Sequence, residues 1–328
     1  MSEKKEDLLN QIVIQKTGDF ETDLRHIAQT LRDNFDYIED EAFIKALDQY
    51  LVEAYTDKAD SLETILTDIK QTDDEEFMSN MKKMSQDNPT RAQFETSLFI
   101  RKMEEDFSEI RPRMYEKNLS IYSPIDQFEF WLENGSEMIL KPTKRDYANL
   151  YKDYARILVT SNEWREAAEM YQQATLWNPY DAPAYLELAE LYQNMGQYGM
   201  SYPTILSGLK HAYFPHCLAQ GFYLLGQFYL SKGDTMSAYE LFHLSLLWDE
   251  SEEAKKAFYE LMEQMPEQMR VDLTAPEVLA AVNLSMYPDA EKLAALENYI
   301  NEAELSDEDK EKLIETYQHI IGELSKMK

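Results

Sequence analysis

The chain has one cysteine, Cys217, in 328 residues. No intramolecular disulfide can form, so a disulfide-stapled secreted domain is excluded. Glycine is also scarce, at 9 residues, where about 7% is ordinary. Few glycines mean few tight turns, which disfavours hairpin-rich β structure and favours helices. Basic residues are short as well: 32 Lys and Arg against 62 Asp and Glu leave a formal charge of −30. That field repels phosphate backbones and anionic lipid, so neither nucleic acid nor a membrane surface is an expected partner. Met1 to Asp7 mixes acids with lysines and no apolar run follows, so no signal peptide is read there. The one long uncharged stretch, His211 to Ser231, carries Pro215, His216, Gln220 and Gln227, which disfavours a membrane span. A cytoplasmic location is the expectation.

What the sequence does have is apolar bulk in helical register. Hydrophobic residues make up 44%, with 22 Tyr, 14 Phe and 4 Trp, so the acidity does not imply disorder. Residues 1–141 read as an amino-terminal series of amphipathic helices. Leu24, Ile27, Ala28, Leu31 and Phe35 recur at the spacing of one helix face, as do Phe43, Leu47, Tyr50, Leu51 and Ala54. Leu62, Ile65, Leu66 and Ile69 make a shorter stripe. Phe99, Met103, Phe107 and Ile110 form another after the break at Asn88-Pro89. Ser123-Pro124 opens a further helix and Asn134-Gly135 closes it. Glu137 to Lys141 reads as a short extended piece, and Pro142-Thr143 marks the expected domain boundary.

Residues 142–265 repeat. Tyr151, Tyr154, Ala155, Leu158, Ala167, Tyr171 and Ala174 align with Tyr185, Leu188, Ala189, Tyr192, Ser201, Ile205 and Gly208, at an offset of 34 from Tyr151 to Tyr185. Phe222, Leu225, Gly226, Tyr229, Ala238, Phe242 and Ser245 make a third set, 37 beyond Tyr185. Each unit places bulky, bulky, small and bulky residues on a first helix, then small, large and small on a second. The small residues let paired helices approach closely. This pattern resembles the tetratricopeptide repeat (TPR) family. The resemblance covers about 148–252 and implies an all-α fold: an α–α superhelix, or TPR solenoid, with helical extensions on both sides. Asn162 stands where the family has Gly, and Pro203 falls inside a second helix, which predicts a kink or a late start near Tyr202. Ser251 to Met265 reads as a capping helix. Residues 266–328 read as a helical extension: a helix from about Pro276, then a hairpin with Asp289 capping one helix and Ser306 with Asp309 capping the next. Leu313, Tyr317, Ile320, Ile321 and Leu324 are its expected inward stripe.

Chemistry-bearing motifs are few. The sequence holds no phosphate-binding loop, dinucleotide fingerprint, nucleophile elbow or zincin motif. Glu240 and His243 have the spacing of a di-iron helix pair, but no second such pair occurs. His211, His216 and Cys217 lack zinc spacing. The acidic runs Asp73–Glu76 and Glu104–Asp106 contain no glycine for a calcium loop and read as solvated helix faces. No catalytic residue, metal or cofactor is expected, and the chain reads as a non-enzyme.

The family resemblance implies a groove lined by the first helices. Carried over, its positions are Asn149, Lys152 and Arg156, with Val159, in unit one; Leu186, Glu190 and Asn194, with Gln193, in unit two; and Gln220, Tyr223 and Gln227, with Leu230, in unit three. A chaperone-tail clamp needs a set of Lys, Asn and Arg that falls on Lys152, Arg156, Glu187, Gln220 and Leu224. Only Lys152 agrees, and Glu187 would repel a carboxylate. Lys152 and Arg156 are either a basic recognition spot or ion-paired to Glu187 or Glu190. The expected function is a scaffold-like module binding a protein or peptide. The alternatives are a peptide-responsive bacterial regulator with a helical bundle ahead of its repeats, and a secretion-type chaperone.

Overall fold

The computed structural model describes residues 41–54, 61–105, 114–135, 137–266, 275–281, 288–303 and 305–326, with isolated residues elsewhere. Leu24, Ala28, Phe35 and Ile110, expected on helix faces, lie outside the described residues. The side chains of residues 51–72, which include the stripe from Leu62 to Ile69, do so as well. The described fold is all-α apart from one two-stranded ribbon. It comprises two compact units: residues 1–80 with 144–146, and residues 81–143 with 147–328.

In the first unit, α1 (Glu41–Ala54) buries Phe43 and Leu47, two residues of its predicted stripe. Arg145 pairs with Asp74 at 3.2 Å, and both side chains are buried. Asp74 lies on α2 (Ser61–Asp87), which runs 27 residues, straight through the acidic run Asp73–Glu76. Within this unit Asp74 and Met78, four residues apart, are both buried, so one face of the helix stays inward through the acidic run.

The second unit contains three consecutive helix pairs. They are α5 (Tyr147–Thr160) with α6 (Trp164–Trp177), α7 (Ala182–Asn194) with α8 (Tyr198–Lys210), and α9 (Pro215–Ser231) with α10 (Thr235–Trp248). Each pair packs internally and onto the next. The turns inside the pairs are the same motif three times. The amide of Glu163 reaches the carbonyl of Leu158, that of Gln197 reaches Tyr192, and that of Asp234 reaches Tyr229, at 2.9, 2.7 and 3.0 Å. A second bond joins Asn162 to Val159, Gly196 to Gln193 and Gly233 to Leu230. These are Schellman closures, which need a left-handed residue after the helix. Asn162, Gly196 and Gly233 supply it, with φ of 63°, 72° and 80°. Asn is the side chain that tolerates this region best, which explains the departure at 162.

Small residues sit where the pairs close. Ala155 and Ala189 are fully buried, and a Cβ on Gly226 would lie 2.6 Å from the Phe242 ring. Pro203 does not delay its helix: α8 begins at Tyr198 and includes it as the sixth residue. The bond it forfeits is to the carbonyl of Gly199, in the exposed first turn where water can serve as donor.

Before the first pair, α3 (Pro89–Glu105) packs on α5. After the last, α11 (Glu252–Gln264) packs on α10, burying Leu261 and Met265 with Ala238, Tyr239 and Phe242. Between α3 and α5 runs a strand–helix–strand unit: β1 (Glu116–Leu119), α4 (Pro124–Asn134) and β2 (Ile139–Pro142). The strands pair in parallel, Glu116 opposite Ile139 through Leu119 opposite Pro142.

Then come α12 (Ala275–Ala281), α13 (Ala290–Glu302) and α14 (Asp307–Lys326). The predicted caps form: Asp289 accepts from the Lys292 amide and Ser306 from the Asp309 amide. Leu313 and Ile320 face inward as expected, but Ile321 is exposed, since it lies about 100° around the helix from Ile320. Val278 and Leu279 of α12 enter the core of pairs two and three. Leu293, Leu296, Ile300, Leu313 and Ile320 pack with Ile125 and Phe128 of α4 and with Tyr213.

Candidate interaction face on the first helices

The residues expected to line a groove do not share one environment. Leu186 is fully buried, its side chain 2.8 to 3.4 Å from where Cβ atoms on Gly208 and Gly221 would stand. It is a core residue, not a lining residue: two glycines draw α8 and α9 in around it.

Lys152 is buried too, and its ammonium lies 2.5 Å from Asp181 Oδ2. The other oxygen of Asp181 accepts from the Ala184 amide and caps α7. Arg156 is half-exposed, with three of its five N–H donors bonded. Its Nε donates to Glu187 Oε2 at 2.8 Å, its Nη2 to Glu187 Oε1, and its Nη1 to Asp153 at 2.9 Å. Lys82 also reaches Asp153, at 2.6 Å. The Tyr171 hydroxyl donates to Glu187 Oε2 at 2.8 Å. The Glu187 hydrogen bonds hold the Arg156 guanidinium above its ordinary pKa, with burial opposing. Both cations therefore stand in the ion-paired arrangement. The partner of Lys152, Asp181, was not foreseen: it lies 29 residues on, at the N-cap of α7.

The other lining residues stay accessible. Asn149, Glu190 and Asn194 are exposed, and Gln220, Tyr223 and Gln227 are part-exposed. Four of them connect through contacts. Gln220 donates its amide to Glu190 Oε2 at 3.3 Å, and Gln227 donates to the Tyr223 hydroxyl. Arg156, Glu187, Glu190, Gln220, Tyr223 and Gln227 thus form one stripe crossing α5, α7 and α9. Partial desolvation by its neighbours raises the Glu190 carboxyl, the Gln220 amide opposes it, and Glu187 and Glu253 raise it further. Burial likewise raises the Tyr223 hydroxyl, against the Gln227 bond, with Glu253 and Glu190 adding to the rise.

A second polar cluster lies where α4 meets the loops between pairs. Glu129 is buried and gathers three donors from two segments: His211 Nδ1 at 3.0 Å and the Tyr213 hydroxyl from the loop after α8, and Lys292 Nζ at 2.5 Å from α13. Lys292 also donates to the carbonyl of Lys210 at 2.5 Å and sits over the Tyr213 ring. Burial would raise the Glu129 carboxyl, but the His211 bond, the Lys292 charge and bond and the Tyr213 bond together hold it below the usual range. One turn earlier on α4, Asp126 accepts from Asn178 Nδ2 at 2.8 Å. Its carboxyl is pushed up to about 7, chiefly by burial, against the Asn178 bond. Every donor in the Glu129 cluster is bonded within the protein, so its chemistry is that of a fastening.

Glu240 is buried, and His243 stacks on Phe258 at 5.6 Å. Among the described residues, no group of three or more His, Cys, Asp or Glu is placed to hold a metal, and no helix is long and apolar enough to cross a membrane. Cys217 is buried, and burial pushes its thiol up to about 12. No protein-family model matches the chain, and no curated protein matches its sequence.

Proposed function

We propose that residues 147–264 form a superhelix of the tetratricopeptide type and that the accessible face of its first helices receives a protein segment. The chain then acts as a non-enzymatic interaction module. The observation that carries this reading is the stripe from Arg156 to Gln227, which joins three successive first helices and leaves polar side chains part-exposed along its length. Three identical Schellman turns at offsets of 34 and 37 support the repeat assignment, because one backbone motif recurs where the sequence recurs. Capping by α3 on one side and α11 on the other fits a stack whose end units need different partners.

The test is site-specific photocrosslinking in the native cell, with the crosslinking residue at Asn194 on the face or at Leu247, exposed on α10. The expected result is a protein captured from position 194 and not from 247. Equal capture from both positions would remove the reading. The identity of the captured protein separates a general scaffold from a peptide-responsive regulator and from a chaperone for a secreted substrate.

A further inference from the structure

The chemistry of the partner follows from which groups on that face are already used. Three donors of Arg156 are spent on Glu187 and Asp153, and Lys152 is spent on Asp181. Gln220 gives an amide hydrogen to Glu190, where the direction is fixed because a carboxylate only accepts. Gln227 gives one to Tyr223. The cations of the stripe therefore point at its own anions. What remains is negative in net charge: the second oxygen of Glu190 and the amide oxygens of Gln220 and Gln227 accept, while the donors left over, the second amide hydrogens of the two glutamines and the Tyr223 hydroxyl, are neutral. Glu253, exposed on the first turn of α11, adds a further negative charge felt by Glu190 and Tyr223.

Charges that cancel in pairs leave Glu190 and Glu253 in excess. An acidic segment or a terminal carboxylate would meet net repulsion here from Glu190 and Glu253, with Lys152 and Arg156 already ion-paired, whereas an ammonium or guanidinium finds carboxylate, amide and phenol oxygens together. We propose that the segment received on this face is an extended peptide carrying lysine or arginine, with one cationic side chain on Glu190 beside the Tyr223 ring. This inference rests on the proposed use of the face and is opposite in sign to the basic recognition spot, one of the two sequence readings of Lys152 and Arg156. A cation against a tyrosine face gains a further modest attraction, and the pair is favoured by a field that is negative throughout.

The probe is a labelled, end-capped decapeptide of alternating lysine and alanine, with versions bearing Gln or Glu for Lys, titrated into the full chain by fluorescence anisotropy. The lysine peptide is expected to bind at least tenfold tighter than either counterpart. Glu190→Gln with Glu253→Gln should weaken it about tenfold. The same loss of charge on the α13–α14 hairpin, Glu291→Gln with Glu311→Gln, should change it less than twofold. Equal weakening by both pairs would reduce the effect to net charge and overturn the inference. So would a Gln or Glu peptide that binds as tightly as the lysine one. Failure of the underlying reading looks different: Asn194→Ala with Gln227→Ala would then leave the binding of all three peptides unchanged. Circular dichroism melts establish that each variant is folded.

Discussion

Arg156 and Glu187 meet through two hydrogen bonds across successive first helices, and Tyr171 reaches the same carboxylate from the second helix of the first pair. Lys152 and Asp181 make a second link between the same two pairs, but a buried one. The two links differ in what their loss leaves behind. Arg156→Ala leaves Glu187 part-exposed with Tyr171 still bonded, and should cost about 1 kcal/mol. Lys152→Ala strands a buried carboxylate at the start of α7, and should cost about 3–5 kcal/mol. Urea melts of the two single variants check the ranking. Equal costs would contradict the difference in burial.

The three turn residues make a matched set. Asn162→Gly should stabilise by about 0.5–1 kcal/mol, because glycine enters the left-handed region without penalty. Gly196→Ala and Gly233→Ala should each destabilise by about 1–2 kcal/mol, although neither added Cβ meets any atom within 4 Å. A null result for both alanine variants in thermal melts would mean the turns are not held as described.

Gly226→Ala should cost about 1–3 kcal/mol through overpacking, because the new methyl falls on the Phe242 ring. Phe242→Leu, which opens the space, should recover part of that loss in the double variant. Additive melts of the two single variants would show that the contact is not shared.

Asp126 gives a pH dependence of defined sign. Its folded pKa, about 7, lies above an unfolded value near 3.9. The folded state therefore binds more protons between those values, and stability from this group falls as pH rises from about 4 to 7, then stays flat. The full span is at most about 4 kcal/mol. Asp126→Asn keeps an acceptor for Asn178 and removes the ionisation. The difference in unfolding free energy between parent and variant should therefore grow from pH 5 to pH 8, with the variant the more stable. A difference that does not change with pH would place the Asp126 carboxyl in ordinary solvent.

The parts of this fold that were legible in the sequence are those set by neighbours within one repeat. Ala155, Ala189 and Gly226 announce close helix pairs because each needs only the partner helix beside it. Asn162 signals its turn because the left-handed residue is fixed by local backbone. The extended piece at Glu137–Lys141 was legible too, but its partner β1 was not. Glu116–Leu119 is four residues long and polar, and pairs only because α4 returns the chain beside it. Leu186 was misplaced because its burial depends on Gly208 and Gly221, from two other helices. The neutralisation of Lys152 depends on a turn 29 residues away. Long-range pairing leaves no periodicity to read.

Glu129 collects its donors from points along the chain that emerge at very different times during synthesis. His211 and Tyr213 follow Glu129 by 82 and 84 residues, and Lys292 by about twice that distance. At translation rates of about 5–20 residues per second, α4 exists for roughly 10–30 seconds before Lys292 leaves the ribosome. During that interval the carboxylate has at most its histidine and tyrosine partners. The apolar face of α4, Ile125 and Phe128, waits for Leu293, Leu296 and Ile300. The repeats can close pair by pair as they appear, but the α4 layer is completed only after them, by α13 and α14.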